Sequence, residues 1–329
     1  MKIDSQTLQN LLGLFQPGTT VALAGHINPD GDSLGSMLAL EAWLQTRGCS
    51  VTKLLANKAS VPAAYGFLAQ ADLNLNFVAA EDYRVSPDVF VAVDLSQTFR
   101  LGQALSVLER AGHVVVIDHH PEPEGFAEIM LHDETVAAAG MLVWQLLNRL
   151  QIDITAGMAT ACYVALLTDT GRFSYQNTTA QVLEAASQMV SAGAAVYDAA
   201  QAIYGSRSLA SLKLDSLLVD RIEYLVNRSV VCSWLTAADF DRLGVAGDET
   251  EDLVGILRSV ADTELAVLLR QNDRQVRVNL RARGDYDCAK LARDHGGGGH
   301  RAAAGFNFAG SLDQTREAIR HYLLSEGLL

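Results

Sequence analysis

HVVVIDHH, residues 113–120, carries an apolar run straight into one carboxylate and two imidazoles. Four consecutive apolar residues suit a strand buried on both faces, the habit of parallel sheets. Asp118, His119 and His120 then stand where that strand emerges. Polar groups of this kind are buried only when something compensates them. The strand either runs out into solvent or ends at a charged ligand, and the neighbouring segments decide between the two.

TVALAG (20–25), VTKLLA (51–56) and VFVAVD (89–94) read as further strands. SLGSMLALEAWLQTRG (33–48), TFRLGQALSVLERAG (98–112), TVAAAGMLVWQLLNRL (135–150), ITAGMATACYVALLTDTG (154–171) and TTAQVLEAASQMVSAG (178–193) read as helices, several stopping at glycine. Apolar strands separated by helices predict an α/β fold with a parallel sheet covered on both faces. Such a sheet binds ligands at its carboxyl edge. His26, Asp30 and Asp32 follow the first strand in HINPDGDS (26–33). Asp94 ends another, Asp118, His119 and His120 end a third, and Asp169 ends a helix. In the turn after the first strand, Pro29 and Gly31 suit a bend and Ser33 is expected to cap the next helix.

Converging carboxylates would repel one another and desolvate at a cost of about several kcal/mol each. Divalent cations remove that problem. A mixed set of Asp oxygens and His nitrogens favours Mn²⁺, Mg²⁺ or Fe over a cysteine-rich structural zinc site. The ligands outnumber what one ion with an open position needs. Two ions sharing an Asp are expected, the arrangement that serves phosphoryl displacement.

The chain has 329 residues, 49% hydrophobic and 19% charged, which suits two globular domains. MKIDSQTLQNLLGLF lacks the marks of a signal peptide, and no apolar run reaches the roughly 18 residues of a membrane span. The four cysteines are scattered and form no CxxC pair, as in a reduced cytoplasmic protein. A net charge of −13 argues against coating long duplex nucleic acid. Between Arg270 and Arg301, however, eight Lys/Arg face four Asp, an island suited to a short anionic ligand.

Residues 1–195 are expected to form the metal-binding domain, 196–225 a helical connector, and 226–329 a smaller α/β domain. In the last, SVVCSWL is a strand, ELAVLLRQNDRQVRVNLRARG a hairpin turning at QND, and EDLVGILRSV, CAKLARDHG and LDQTREAIRHYLLSE are helices. Arg281 and Arg283, two apart on a strand, would share one face. GGGGHR (296–301) reads as a permissive loop whose backbone, with His300 and Arg301, approaches an anion.

HINPDGDS, VAVD (91–94), IDHH (117–120) and LLTDTGRFSY (166–175) resemble the four N-terminal motifs of the DHH phosphoesterases. VNLRARGDYDCAKLARDHGGGGHRAAAG (278–305) resembles their DHHA1 domain. The pairing, which covers nearly the whole chain, is similar to the nano-RNase/PAP phosphatase type. The resemblance implies one Mn²⁺ on His26, Asp30 and Asp94, and a second on Asp32, Asp94, His119 and Asp169. It implies His120 beside the scissile phosphate, Asp118 orienting a metal-ligand histidine, and a cleft between the domains closed over the substrate. Arg281, Arg283, Gly298, Gly299, His300 and Arg301 would hold the nucleotide. One departure is Asn279-Leu280-Arg281-Ala282, where the family often has serine after the arginine, so a hydroxyl contact is missing.

The expected substrates are short RNA oligonucleotides and pAp, with no membrane partner; a homodimer is left open. Cyclic di-AMP or linear pApA/pGpG is the alternative substrate class. A pyrophosphatase fits the glycine-rich domain less well, and a RecJ-like exonuclease should be longer. A nucleotide-binding regulator without catalysis would have lost a metal ligand, and every expected ligand stands.

Overall fold

Strand order is what brings distant polar residues of the first unit together. The computed structural model describes residues 4–57, 60–121, 123–226, 228–245, 253–272, 275–284 and 286–326. The chain divides into two units, Met1–Gly205 and Ser206–Leu329. That division lies within the stretch read as a connector.

In chain order the first unit contains α1 (Ser5–Leu14), β1 (Thr20–Ala24), α2 (Gly31–Thr46), β2 (Ser50–Leu55), β3 (Phe77–Ala79), β4 (Val89–Val93), α3 (Leu105–Leu108), β5 (His113–Asp118) and β6 (Ile129–His132), then α4 (Ala139–Arg149), α5 (Ala156–Asp169), α6 (Ala180–Ser191) and α7 (Val196–Ala200). The sheet runs β3-β2-β1-β4-β5-β6 and every pairing is parallel. The chain goes from β1 outward to β3, then returns to β1's other side with β4. The order therefore reverses between β1 and β4, where open α/β sheets form their ligand crevice.

Both faces of the sheet are covered, as the apolar strands require. Val89, Val91 and Val93 of β4 enter a core shared with α1, α2, α4, α5 and α6, while Phe90 and Ala92 enter a second core with Leu101, Ala104 and Val107. The helix α2 is buried for most of its length because the sheet, α4 and α5 all pack on it. Of its two buried carboxylates, Glu41 pairs with the buried Lys53 of β2.

Three local expectations differ from the structure. The short edge strands β3 and β6 were not legible, because neither carries a continuous apolar run. Residues 98–112 do not form one helix: Thr98–Ala104 is a 3-10 turn, and only Leu105–Leu108 is α-helical. Gly102 breaks it at φ +51°, where a Cβ would lie 2.6 Å from the Ala56 carbonyl oxygen and 2.7 Å from Ile27 Cγ2. Ser33 does not cap α2. Asp30 does, accepting from the amides of Asp32 and Ser33 at 3.1 Å each.

The second unit contains α8 (Leu209–Asp220), β7 (Glu223–Tyr224), β8 (Val230–Thr236), α9 (Ala237–Leu243), α10 (Leu253–Arg258), β9 (Leu265–Gln271), β10 (Val276–Ala282), α11 (Cys288–Asp294), β11 (Gly298–His300), β12 (Ala303–Phe308) and α12 (Leu312–Ser325). Its sheet runs β11-β12-β10-β9-β8-β7, antiparallel except between β8 and β9. Val278 and Leu280 face a core with α11 and α12, and Ala266 and Leu268 face one with α8, α9 and α10. β9 and β10 form the expected hairpin; Asp273 and Arg274 of its turn, and Glu251 and Asp252 before α10, lie outside the described residues.

The glycine tract is not a loop. Gly298–His300 is a strand paired with β12. Gly299 sits at φ +140°, and a Cβ there would come 2.5 Å from the Ala303 carbonyl oxygen. Glycine is needed for that close approach rather than for flexibility. Among the described residues no helix is long and apolar enough to cross a membrane. All four cysteines are buried free thiols.

Candidate metal centre

At the β1/β4 reversal the chain collects residues from five places. His26 follows β1 directly. Its Nδ1–H donates to the Ile27 carbonyl at 2.8 Å, which turns Nε2 toward Asp30 Oδ2 (3.6 Å) and Asp94 Oδ2 (3.2 Å). Asp94 follows β4 at φ +61°, a left-handed conformation that Asp tolerates better than most residues. Its amide donates to Ile117 of β5 at 2.9 Å, and Ser33 Oγ donates to its Oδ2 at 2.7 Å. The serine expected as a helix cap thus holds a carboxylate in place.

Asp32 lies in the first turn of α2 and is fully buried. Its Oδ2 accepts from the Ala139 amide at 2.6 Å and its Oδ1 from the Gly140 amide at 2.8 Å. It therefore caps α4, whose own preceding residue, Ala138, offers no side-chain cap. A carboxylate has about four lone-pair sites, so acceptor capacity remains. Opposite it, His119 Nε2 lies 3.5 Å from Asp32 Oδ2, 3.5 Å from Asp94 Oδ1 and 3.2 Å from Asp169 Oδ2 at the end of α5.

Among the groups of potential ligands are His26–Asp30–Asp94, Asp32–Asp94–His119 and Asp94–Asp118–His120, each with donor atoms within 4.8 Å of one another. They share Asp94. The donor chemistry suits hard or borderline divalent ions. The electrostatics point the same way. Burial opposes charge on His26, but Asp30 and Asp94 outweigh it and lift the imidazole to about 10. His119 is raised well above its ordinary value, as Asp169 and Asp94 overcome burial. Burial, then the charges of Asp94 and Asp169, push the Asp32 carboxyl well upward, and burial raises Asp169. Protons are drawn to the places where cations would neutralise the carboxylates, so the residues fit a divalent pair. Asp30 and Asp169, with side-chain exposures of 47% and 21%, form the open rim.

Asp118 and His120 stand beside this cluster. His120 Nδ1–H donates to Asp118 Oδ1 at 2.7 Å, and His132 of β6 donates to the His120 carbonyl at 2.6 Å. Burial works against the Asp118 charge, but His120 holds that carboxyl below its usual range. Asp118 thus orients His120 rather than the metal-ligand histidine expected from the sequence. Sequence reading passed over Arg100, whose Nη1 donates to His120 Nε2 at 2.8 Å. The available signal was an arginine six residues beyond a strand-terminal Asp at the ligand-binding edge of the sheet.

In the second unit, register places Arg281, Ala303 and His300 in one row across β10, β12 and β11, and Asn279, Gly305 and Gly298 in the next. Directly opposed antiparallel residues share a face. Arg281 and His300 therefore flank a floor of small residues. Arg281 Nε and Asn279 Oδ1 are buried and find no hydrogen-bond partner among the described residues. Arg283 does not join them: β10 ends at Ala282, and Arg283 Nη2 donates to the Arg258 carbonyl at 3.1 Å. Arg301 lies in the turn between β11 and β12.

Comparison with known proteins places this geometry. The chain is 28% identical over 322 residues to the bifunctional oligoribonuclease and PAP phosphatase NrnA of Thermus thermophilus, covering 94% of this chain and 92% of the relative. It is 27% identical over 352 residues to the cyclic-di-AMP phosphodiesterase GdpP of Geobacillus thermodenitrificans, covering 98% of this chain and 50% of the relative. The crystal structure of an exopolyphosphatase-related protein from Bacteroides fragilis shares the fold, with a TM-score of 0.89 at 22% identity over 98% of this chain and 97% of the other. Residues 20–166 match the DHH family N-terminal domain and residues 227–324 match the DHHA1 domain. With both units matched, the chain belongs to the DHH family and carries a C-terminal DHHA1 domain.

Proposed function

We propose that the chain is a phosphoesterase dependent on two Mn²⁺ ions, hydrolysing short RNA oligonucleotides to mononucleotides and removing the 3′-phosphate of pAp. The observation that carries this reading is one carboxylate, Asp94, shared by two imidazole–carboxylate groups at the switch point of a parallel sheet. When bound, two divalent ions neutralise phosphate charge and make water nucleophilic near neutral pH. His26, Asp30 and Asp94 would hold one ion; Asp32, Asp94, His119 and Asp169 would hold the other. Ser33 fixes the shared carboxylate, and the α4 amides fix Asp32. His120, aimed by Asp118, contacts the scissile phosphate. Arg281 and His300, with Gly298 and Gly299 beneath, grip the nucleotide. The acidic remainder of the chain disfavours long duplex, and a cytoplasmic setting suits the substrate.

Two relatives' names support two substrate classes. Similarity to an oligoribonuclease and PAP phosphatase over nearly the full length of both chains favours short RNA and pAp. Similarity to a cyclic-di-AMP phosphodiesterase supports cyclic or linear dinucleotides as the second reading. The deciding experiment is Mn²⁺-dependent turnover of an RNA dimer, an RNA pentamer, pAp, pApA and cyclic di-AMP at equal concentrations. Fast cleavage of the short RNAs is the expected result. Cleavage of cyclic di-AMP alone would replace the first reading with the second, and no turnover of any substrate would refute both.

A further inference from the structure

Arg100 occupies the 3-10 turn Thr98–Ala104, and that turn is built into the site's wall. The Ile27 amide donates to the Arg100 carbonyl at 2.9 Å, and the Gln103 amide donates to the Ala56 carbonyl at 2.8 Å. Gly102 removes the side chain that would separate this turn from Ala56 and Ile27. The backbone of Arg100 is thereby tied to the loop that carries His26.

A guanidinium stays protonated and has no acceptor. Arg100 therefore donates, and His120 Nε2 accepts. The proton on the other side of that ring goes from Nδ1 to Asp118 Oδ1. The imidazole is held from both ends in one tautomer. For Arg100 this is a poor partner: a charge-assisted bond to an oxyanion is about twice as strong as a neutral one, and the guanidinium fork matches two phosphate oxygens.

We propose that Arg100 is a substrate-positioning residue that binds the non-bridging oxygens of the scissile phosphate, its bond to His120 being the substrate-free arrangement. This inference rests on the phosphoester reading above. An arriving phosphate draws Arg100 off Nε2. That nitrogen, still aimed by Asp118, then faces the substrate. Lysine would keep the charge but lose the fork.

The test compares wild type with Arg100→Gln, Arg100→Lys and Arg100→Ala, each loaded with Mn²⁺. Calorimetric binding of inorganic phosphate and AMP should weaken about 10- to 100-fold in Arg100→Gln, with Arg100→Lys between it and wild type. The kcat/KM for short RNA should fall in step, and added guanidinium ion should restore part of the Arg100→Ala activity. A misfolded chain cannot be rescued in that way. Phosphate and AMP binding to Arg100→Gln as tight as to wild type would overturn the proposal. Wild type that binds phosphate through Arg100 but cleaves none of the substrates would instead sink the phosphoesterase reading, leaving Arg100 as a phosphate contact with no scissile bond to position.

Discussion

The two units assemble charge by opposite means. In the first, the ligands come from residues 26 to 169, and what brings them together is a buried sheet whose strands all end at one edge. In the second, Arg281 and His300 are separated by 18 residues of chain and are aligned by antiparallel register on either side of Ala303. The first site has apolar packing beneath it and repelling carboxylates within it. The second has close backbone contact and an arginine whose buried Nε finds no partner among the described residues. A single change should therefore damage chemistry in the first unit and local structure in the second.

Asp94→Asn tests the first half of that contrast most severely. Asn also tolerates a positive φ, so the fold should survive. Both ligand groups lose their shared oxygen, and the fall in turnover should exceed the roughly 100-fold typical of losing an outer partner of a metal ligand. Circular dichroism should match wild type while Mn²⁺-dependent turnover of an RNA dimer collapses; a variant that keeps full turnover would refute the shared-ligand site.

Gly299→Val tests the second half. The left-handed φ and the approach to Ala303 leave no room for a branched side chain. A local cost of about 2–3 kcal/mol is expected. Hydrogen exchange should accelerate in β11 and β12 while Mn²⁺ affinity stays as in wild type. Equal exchange rates in the two proteins would show that the glycine contact is not what holds β11.

A smaller effect should separate the units by pH. In metal-free protein Asp32 is raised, so its contribution to stability is full below about pH 4 and is lost as pH rises through its folded value. Lowering the pH through that folded value should then slow exchange in β1 and β4. In the second unit Asp239 is lowered, chiefly by Arg221, which it meets at 2.6 Å, so its contribution exists above about pH 4 and is lost on further acidification. With saturating Mn²⁺ the slope in the first unit should reverse, because ligands bind metal only when deprotonated. An unchanged slope on adding Mn²⁺ would argue that the carboxylates do not meet the ion.

The parallel sheet was legible because VFVAV and HVVVI are too uniformly apolar for one-sided strands, and both end in Asp. The edge strands were not, since Phe77–Ala79 and Ile129–His132 are short and only partly buried. In TFRLGQAL the apolar spacing mimics a helix, and only the contact between Gly102 and Ala56 shows why it breaks. Ser33 could be seen as a helix-start residue but not as the partner of an Asp 61 positions away. GGGG suggested freedom because composition cannot report a neighbouring strand. The face shared by Arg281 and His300 required a register that no local pattern encodes.

The backbone of Asp94 also shapes how this chain can drift over generations. At φ +61° the residues that fit easily are Gly, Asn and Asp. Gly and Asn each keep the turn and discard the shared carboxylate. Glu keeps a carboxylate but fits the turn poorly and reaches one methylene further. Replacement here leads more readily to an inert, well-folded descendant than to an enzyme with a retuned metal pair. Lineages that lose the activity should keep the scaffold and differ first at this position.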